Sequence, residues 1–332
     1  MTKKILIIRN DRLGDIVLAL PSILLLKELH PHSEIYFLAS PAVAPLLEHI
    51  NDIHEVIVSE SGNNSQIVRK LKEINISTAF CLYPTFQNVF NLVRAIIPER
   101  VGTSRRWYSL LFTKRLNISR RGGKRHEALL NLDLISQNRK MEQYPFPEIA
   151  IPAETLKSIG KLLKSINVQD NKPIVILHPG SGLSAVNWSI LRFRELAKLL
   201  VLNESVEVVI TGIASESELC KEVAIEGSAN LCGQTDLIGM SALIHKSAIL
   251  ISNSTGPLHL AIALGCKVIG LYPPKRDCLP ERWGPYMHPE WAVMPDLPIC
   301  NNCKPGKFSD CSCMEEITVE SVYDKSLELL GI

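Results

Sequence analysis

Lys4-Ile-Leu-Ile-Ile-Arg-Asn-Asp-Arg-Leu-Gly-Asp-Ile-Val-Leu-Ala-Leu-Pro21 opens with an apolar run of strand length, passes through a polar turn and enters a helical pattern. A run that is apolar without alternation suits a strand covered on both faces, as in parallel sheets with crossover helices. The same rhythm recurs down the chain. It predicts strands at Lys4–Ile8, Glu34–Leu38, Glu55–Val58 and Thr78–Leu82, with helices at Gly14–Leu29, Ala42–His49, Gln66–Glu73, Asn88–Ile96 and Glu127–Asn138. The stretch Tyr144-Pro-Phe-Pro-Glu-Ile-Ala-Ile-Pro152 interrupts it and reads as an inter-domain linker, followed by a helix at Ala153–Ile166. The rhythm then restarts with strands at Pro173–Leu177, Val206–Thr211, Asn230–Leu231, Ala248–Ser252 and Lys267–Leu271. Helices are expected between these strands at Ile190–Leu202, Ser215–Ile225, Leu237–His245 and Pro257–Leu264. Two Rossmann-like α/β domains, 1–152 and 153–332, are therefore expected, with the last helix, Thr318–Leu330, packing back on the first domain.

Composition agrees with two folded domains. The chain has 332 residues and 37.0 kDa, about twice a typical ~150-residue domain. Hydrophobic residues make up 46%, charged residues 21%, and mean hydropathy is +0.12, which excludes a disordered chain. The apolar run Ile16–Leu26 is broken by Pro21 and Ser22, too short to cross a bilayer, and Arg9, Asp11, Arg12 and Asp15 interrupt any signal-peptide pattern. The net charge of +2 conceals an asymmetry: residues 1–165 hold 23 Lys/Arg against 15 Asp/Glu, and the remainder 13 against 19. Much of the excess lies in Arg105, Arg106, Lys114, Arg115, Arg120, Arg121, Lys124 and Arg125, interleaved with Trp107, Tyr108, Leu110, Leu111 and Phe112. A solvated face is the plain explanation; the functional one is a patch for a phosphorylated glycolipid or an anionic bilayer. Nucleic acid is not expected, because no nucleic-acid-binding motif accompanies the charge.

Three βα turns carry residues that can do chemistry at the carboxyl edge of a parallel sheet. In the first, no G-x-G-x-x-G follows the strand, which argues against a dinucleotide enzyme. Instead Asp15 stands at a helix amino end, where the dipole favours its ionised form; a carboxylate there can take a proton from a hydroxyl nucleophile, or simply cap the helix. The second turn, His178-Pro-Gly-Ser-Gly-Leu-Ser184, offers Gly180, Ser181 and Gly182 as a cradle for phosphate oxygens. The third, Ser252-Asn-Ser-Thr-Gly-Pro-Leu-His259, places proline in a first helical turn and leaves free amides for an anion. Two such loops on one edge favour a diphosphate ligand. No P-loop and no G-x-S-x-G elbow is present.

Taken in order, these three motifs resemble the ADP-heptose:lipopolysaccharide heptosyltransferase family, glycosyltransferase family nine. The resemblance implies a GT-B fold, in which two Rossmann-like domains with parallel sheets face a central cleft, and an inverting, metal-independent transfer without a cofactor. It implies an ADP-sugar donor held by the second domain, a lipopolysaccharide core or other anionic glycolipid acceptor on the first, and a cytoplasmic place at the inner face of the bacterial inner membrane. On the matching positions, Asp15 falls where the family has its general base. Thr255, Gly256 and His259, with Ser254, match the donor-phosphate motif; Ser181 and Gly182 match the loop beneath the nucleotide. Glu216, or Glu218, falls where the family sets an acid against the ribose. Acceptor contacts are expected from Arg12, Arg120, Arg121, Lys124 and Arg125.

Two positions depart from the family. Val186 stands where many members have a lysine two residues before the tryptophan, here Trp188, and Ser254 replaces a frequent aspartate. Both substitutions remove charge from the donor site, for which Arg12 or Lys275 is a candidate substitute. The alternative is thus a nucleotide-sugar-binding GT-B protein without transferase activity, acting as a partner subunit. A sugar-nucleotide epimerase is a third possibility, disfavoured by the basic segment. Cys300, Cys303, Cys311 and Cys313, four thiols in fourteen residues, have a spacing that can close a structural zinc site; a reduced loop or disulfides are the other readings.

Overall fold

The computed structural model describes residues 2–60, 62–120, 122, 124–137, 139–182, 186–300 and 312–332. The chain divides into two compact units, the first ending at Ala150 and leaving out residues 122–124, the second starting at Ile151. Cys303 and Cys311 of the cysteine cluster, and Arg121, lie outside the described residues.

In the first unit, β1 (Lys4–Ile8), β2 (Glu34–Ala39), β3 (Glu55–Val58), β4 (Thr78–Cys81), β5 (Glu99–Thr103) and β6 (Lys114–Leu116) form a parallel sheet ordered β3-β2-β1-β4-β5-β6. Its helices are α1 (Leu13–Val17), α2 (Pro21–Leu29), α3 (Ala44–Leu47), α4 (Asn64–Ile74), α5 (Phe86–Arg94) and α6 (Glu127–Ile135). Central β1 is covered on both faces, and Ile5, Leu6 and Ile7 are fully buried, which is why its sequence does not alternate. On one face Leu6 and Ile8 pack with Leu71, Val89 and Leu92 from α4 and α5. The single helix expected at 14–29 is two: the chain turns at residues 18–20, and Pro21, which has no N–H to give, starts α2. Strands β5 and β6 were not expected. Glu-Arg-Val-Gly-Thr lacks an apolar signature, and β6 is an edge strand with Lys114 and Arg115 exposed and only Leu116 buried.

The second unit contains β7 (Ile174–His178), β8 (Glu207–Ile210), β9 (Ser228–Asn230), β10 (Ile249–Asn253), β11 (Lys267–Leu271) and β12 (Ala292–Val293), all parallel, in the order β12-β11-β10-β7-β8-β9. Its helices are α7 (Ala153–Ser165), α8 (Ile190–Leu202), α9 (Ser217–Val223), α10 (Leu237–His245), α11 (Gly256–Ala263), α12 (Pro280–Trp283), α13 (Ser312–Glu315) and α14 (Val319–Leu330). Counted within its own unit, each sheet has the same order and reverses its direction of growth beside its first strand, at β1/β4 and at β7/β10. Open α/β sheets bind ligands outside the carboxyl ends of the strands at such a reversal. Helix α14 buries Val319 and Val322 in the core of this second unit and packs on α8. No helix among the described residues is long and apolar enough to cross a membrane.

Candidate functional site

At the first reversal, the turn after β1 is organised by Arg9. Its side chain is only 4% exposed, and one guanidinium serves three carboxylates. Nε donates to Asp11 Oδ1 at 2.9 Å, Nη1 to Glu127 Oε1 at 3.0 Å and Nη2 to Asp15 Oδ1. Nη1 also reaches the Leu82 carbonyl at 3.4 Å, so the arginine bridges the ends of β1 and β4. Glu127 is fully buried between two cations, with Arg120 Nε donating to the same Oε1 at 2.7 Å. Asn131, one turn further along α6, accepts from Arg120 at 3.0 Å and donates to the Leu18 carbonyl at 3.1 Å. Burial works against the Arg9 charge, but Asp11, Glu127 and Asp15 more than reverse this and its pKa is raised. Burial pushes the Asp11 carboxyl up to about 6, with Arg9 opposing and the Asp15 charge adding to the rise.

Asp15 is therefore not a helix cap. The cap position of α1 is Arg12, with no side-chain bond to the helix, and Asp15 lies in the first turn with a side chain 19% exposed. Its Oδ1 is fixed by Arg9 at the mouth of the turn. Arg12 itself is exposed. Two of the arginines expected to bind an acceptor are already paired: Arg120 with Glu127 and Asn131, and Arg125 with both oxygens of Asp133 at 2.6 and 2.7 Å. Lys124 is exposed. Neither Arg9 nor Glu127 was singled out from the sequence, although Glu127 and Asn131, four residues apart in a helix whose one other polar residue is Asp133, mark one polar stripe.

At the second reversal, the turns after β7 and β10 are joined by Asn253. This fully buried residue donates to the Pro179 carbonyl and accepts from the Trp188 N–H, both at 2.8 Å. The turn after β7 is also closed from the β8 side. Glu216 Oε1 accepts from Gly182 N–H at 3.2 Å, and Oε2 from Ile213 N–H at 3.0 Å. A Cβ on Gly180 would lie 2.1 Å from that carboxylate, so only glycine admits Glu216 here. Glu218 points elsewhere, exposed and paired with Lys221 at 2.8 Å. Burial pushes His178 down to about 4, and it is neutral, its Nδ1 2.9 Å from the Thr211 hydroxyl.

Helix α11 starts at Gly256 with Pro257 in its first turn, and its cap residue, Thr255, makes no side-chain bond to the helix. Thr255 Oγ1 instead lies 3.4 Å from Ser252 Oγ, while His259 is buried one turn on. Amides at a helix start with no side-chain cap are groups that attract an anion. Ser254 is hydrogen-bonded to Tyr272, whose hydroxyl also donates to the Trp283 carbonyl at 2.9 Å. Val186 is 1% exposed and belongs to the core with Trp188 and Phe193, so position 186 does not present a side chain to the turn. Ser181, Gly182 and Glu216 therefore come together at one turn, and Thr255, Gly256 and His259 at its neighbour.

Residues 92–305, more than half the chain, match the sequence pattern of glycosyltransferase family 9 (heptosyltransferase). The chain belongs to glycosyltransferase family 9. A Haemophilus influenzae protein assigned provisionally as a glycosyltransferase is 29% identical over 85% of this chain and 86% of its own length. Lipopolysaccharide heptosyltransferase 2 of Salmonella typhimurium is 26% identical, covering 82% of this chain and 83% of its own. Among solved structures, the Escherichia coli ADP-heptose lipopolysaccharide heptosyltransferase II superposes with a TM-score of 0.81 at 21% identity, over 98% of each chain. The Escherichia coli heptosyltransferase WaaC, solved with ADP, gives 0.73 at 16% identity, over 98% of this chain and 99% of its own. This family 9 chain accordingly has their GT-B-like α/β fold.

Proposed function

We propose that the protein is an inverting, metal-independent glycosyltransferase that moves a heptose or similar sugar from an ADP-linked donor to a lipopolysaccharide core or related anionic glycan, working at the inner face of a bacterial inner membrane. Family 9 membership supports the transfer chemistry, and the relative solved with ADP supports the nucleotide. The observation that carries the mechanism is the fixing of Asp15 Oδ1 by Arg9 at the first sheet reversal, which leaves Oδ2 to receive a proton. In this reading the acceptor O–H gives its proton to Asp15 as its oxygen attacks the anomeric carbon. The bond from that carbon to the diphosphate breaks on the opposite face, and ADP leaves with the electron pair. The free amides of α11, with Thr255, Gly256 and His259, hold the departing phosphates; Ser181 and Gly182 lie beneath the nucleotide, and Glu216 meets the ribose.

One observation favours the second reading, a nucleotide-sugar-binding partner subunit without transfer: Val186 is sealed in the core and Ser254 is uncharged, so neither brings charge to the diphosphate. Calorimetric titration with ADP, UDP and GDP, with and without magnesium, separates the cases together with an assay of Asp15→Asn. Magnesium-independent preference for ADP, with transfer falling ~10²–10⁴-fold in Asp15→Asn while ADP affinity holds, is the expected result. Tight ADP binding by a wild type that shows no transfer to any core acceptor supports the partner-subunit reading, and full transfer by Asp15→Asn removes Asp15 as the base.

A further inference from the structure

Not all aromatic rings of the first unit enter its core. Phe86 and Phe90 on α5 stack at 5.6 Å, and Trp107, from the 3₁₀ turn Trp107–Leu111, stacks on Phe86 at 5.4 Å. Yet Phe86, Phe90 and Trp107 are 43%, 40% and 77% exposed, and Leu110 is 76% exposed. The cluster is held in place from beneath. Tyr108 packs edge-on against Phe86 and Trp107 and donates its hydroxyl to the Pro84 carbonyl at 2.5 Å. Phe112 closes the turn by lying directly over Gly102, where no Cβ would fit. The rings are therefore presented by ordered backbone on a small, preformed apolar face.

Arginines flank that face. The Arg94 guanidinium lies 6.0 Å from the centre of the Phe90 ring, Arg105 and Arg106 are exposed just before Trp107, and the sequence has no acid between Glu99 and Glu127. Phe86 begins α5 after β4 and Trp107 follows β5, so the face stands at the carboxyl edge of the sheet. Asn88, in the first turn of α5, donates to Asn10 Oδ1 at 2.8 Å, in the same turn that carries Asp15.

We propose that this face docks the protein on an anionic phospholipid surface, with Trp107, Leu110 and Phe90 at the boundary between headgroups and acyl chains and Arg94, Arg105 and Arg106 on the phosphates. Indole rings favour that boundary, and each basic side chain near an acidic bilayer adds attraction. A second copy of the chain is the poorer occupant, since a two-fold contact would bring its own arginines onto these. The inference rests on the reading of a lipid-borne acceptor, because the docked edge is the one that carries Asp15.

Co-sedimentation with vesicles of phosphatidylcholine, with and without phosphatidylglycerol, tests it on the full chain. Binding is expected only with phosphatidylglycerol, weakening with salt and accompanied by a blue shift of tryptophan emission that Trp107→Ser abolishes. Arg105→Gln with Arg106→Gln should weaken partitioning about thirty-fold, from ~1 kcal/mol per basic residue. This arginine pair keeps the test decisive where the serine variant does not fold. Absence of binding to phosphatidylglycerol vesicles, or binding unchanged in the arginine variant, overturns the proposal. So does a wild-type dimer that Trp107→Ser splits without loss of vesicle binding. ADP titration of the same samples tells the two failures apart: ADP bound without vesicles sinks only the docking face, and vesicles bound without any nucleotide sinks the donor reading.

Discussion

Replacing Arg9 by glutamine removes the one cation that Asp11, Asp15 and Glu127 share. Three charge-assisted contacts at ~1.5–3 kcal/mol each set an upper limit. Asp11 and Asp15 are 13% and 19% exposed and regain some water, whereas Glu127 is fully buried but keeps Arg120 at 2.7 Å. The net loss is then about 4 kcal/mol, within the ~3–5 kcal/mol typical of a broken buried ion pair. Because the chain has two units, a single melting curve would mix their transitions. Hydrogen exchange of the β1 amides Ile5–Ile8 reads the first unit alone. The deficit should also depend on pH in a definite direction. Without Arg9 the Asp11 carboxyl, already pushed up by burial and the Asp15 charge, holds its proton still more tightly in the folded state, so the variant gains stability relative to wild type as pH falls. The deficit is largest at pH ~8 and shrinks toward pH ~5, by up to ~1.4 kcal/mol per pH unit for each proton taken up. A deficit below ~1 kcal/mol, or one equal at both pH values, would refute the account of Arg9 as the organiser of this turn.

The remaining predictions concern single groups. Asp11, raised to about 6 in the folded state, binds its proton more tightly folded than unfolded; its contribution to stability is full below pH ~4 and is lost as pH rises through about 6. A carboxyl titration midpoint near 4, or an unchanged pH profile in Asp11→Asn, would contradict this. Gly180→Ala should drive Glu216 from the turn after β7 and weaken ADP binding about tenfold or more, as Glu216→Ala should, with no further loss in the double variant. Unaltered ADP affinity in both single variants takes Glu216 out of the donor site. Val186→Lys, which restores the side chain common in the family, puts an ammonium into the core beside Trp188 and should cost the second unit ~3 kcal/mol or more; an unchanged Tm would mean that this position opens to solvent.

What depends on neighbours along the chain was legible before any fold was known. Apolar runs such as Ile5–Ile8 and Ile249–Ile251 have to be strands covered on both faces, and glycine, proline and small polar residues have to make the turns after them. That was enough to set Asp15, Gly182 and Gly256 at carboxyl edges of parallel sheets. It was not enough for β5, β6 and β12, short outer strands that carry little apolar signal of their own. Which charges meet is settled by the folded chain. Arg9 and Glu127 lie 118 residues apart and Asn253 and Pro179 lie 74 apart, and no periodicity links either pair. The segment 105–125 makes the same point. Read as a string it is one basic patch, but the fold turns Arg120 and Arg125 inward onto Glu127 and Asp133 and leaves Arg105, Arg106 and Trp107 outside. A buried charge needs a partner, and where the chain crosses itself determines which charges find one.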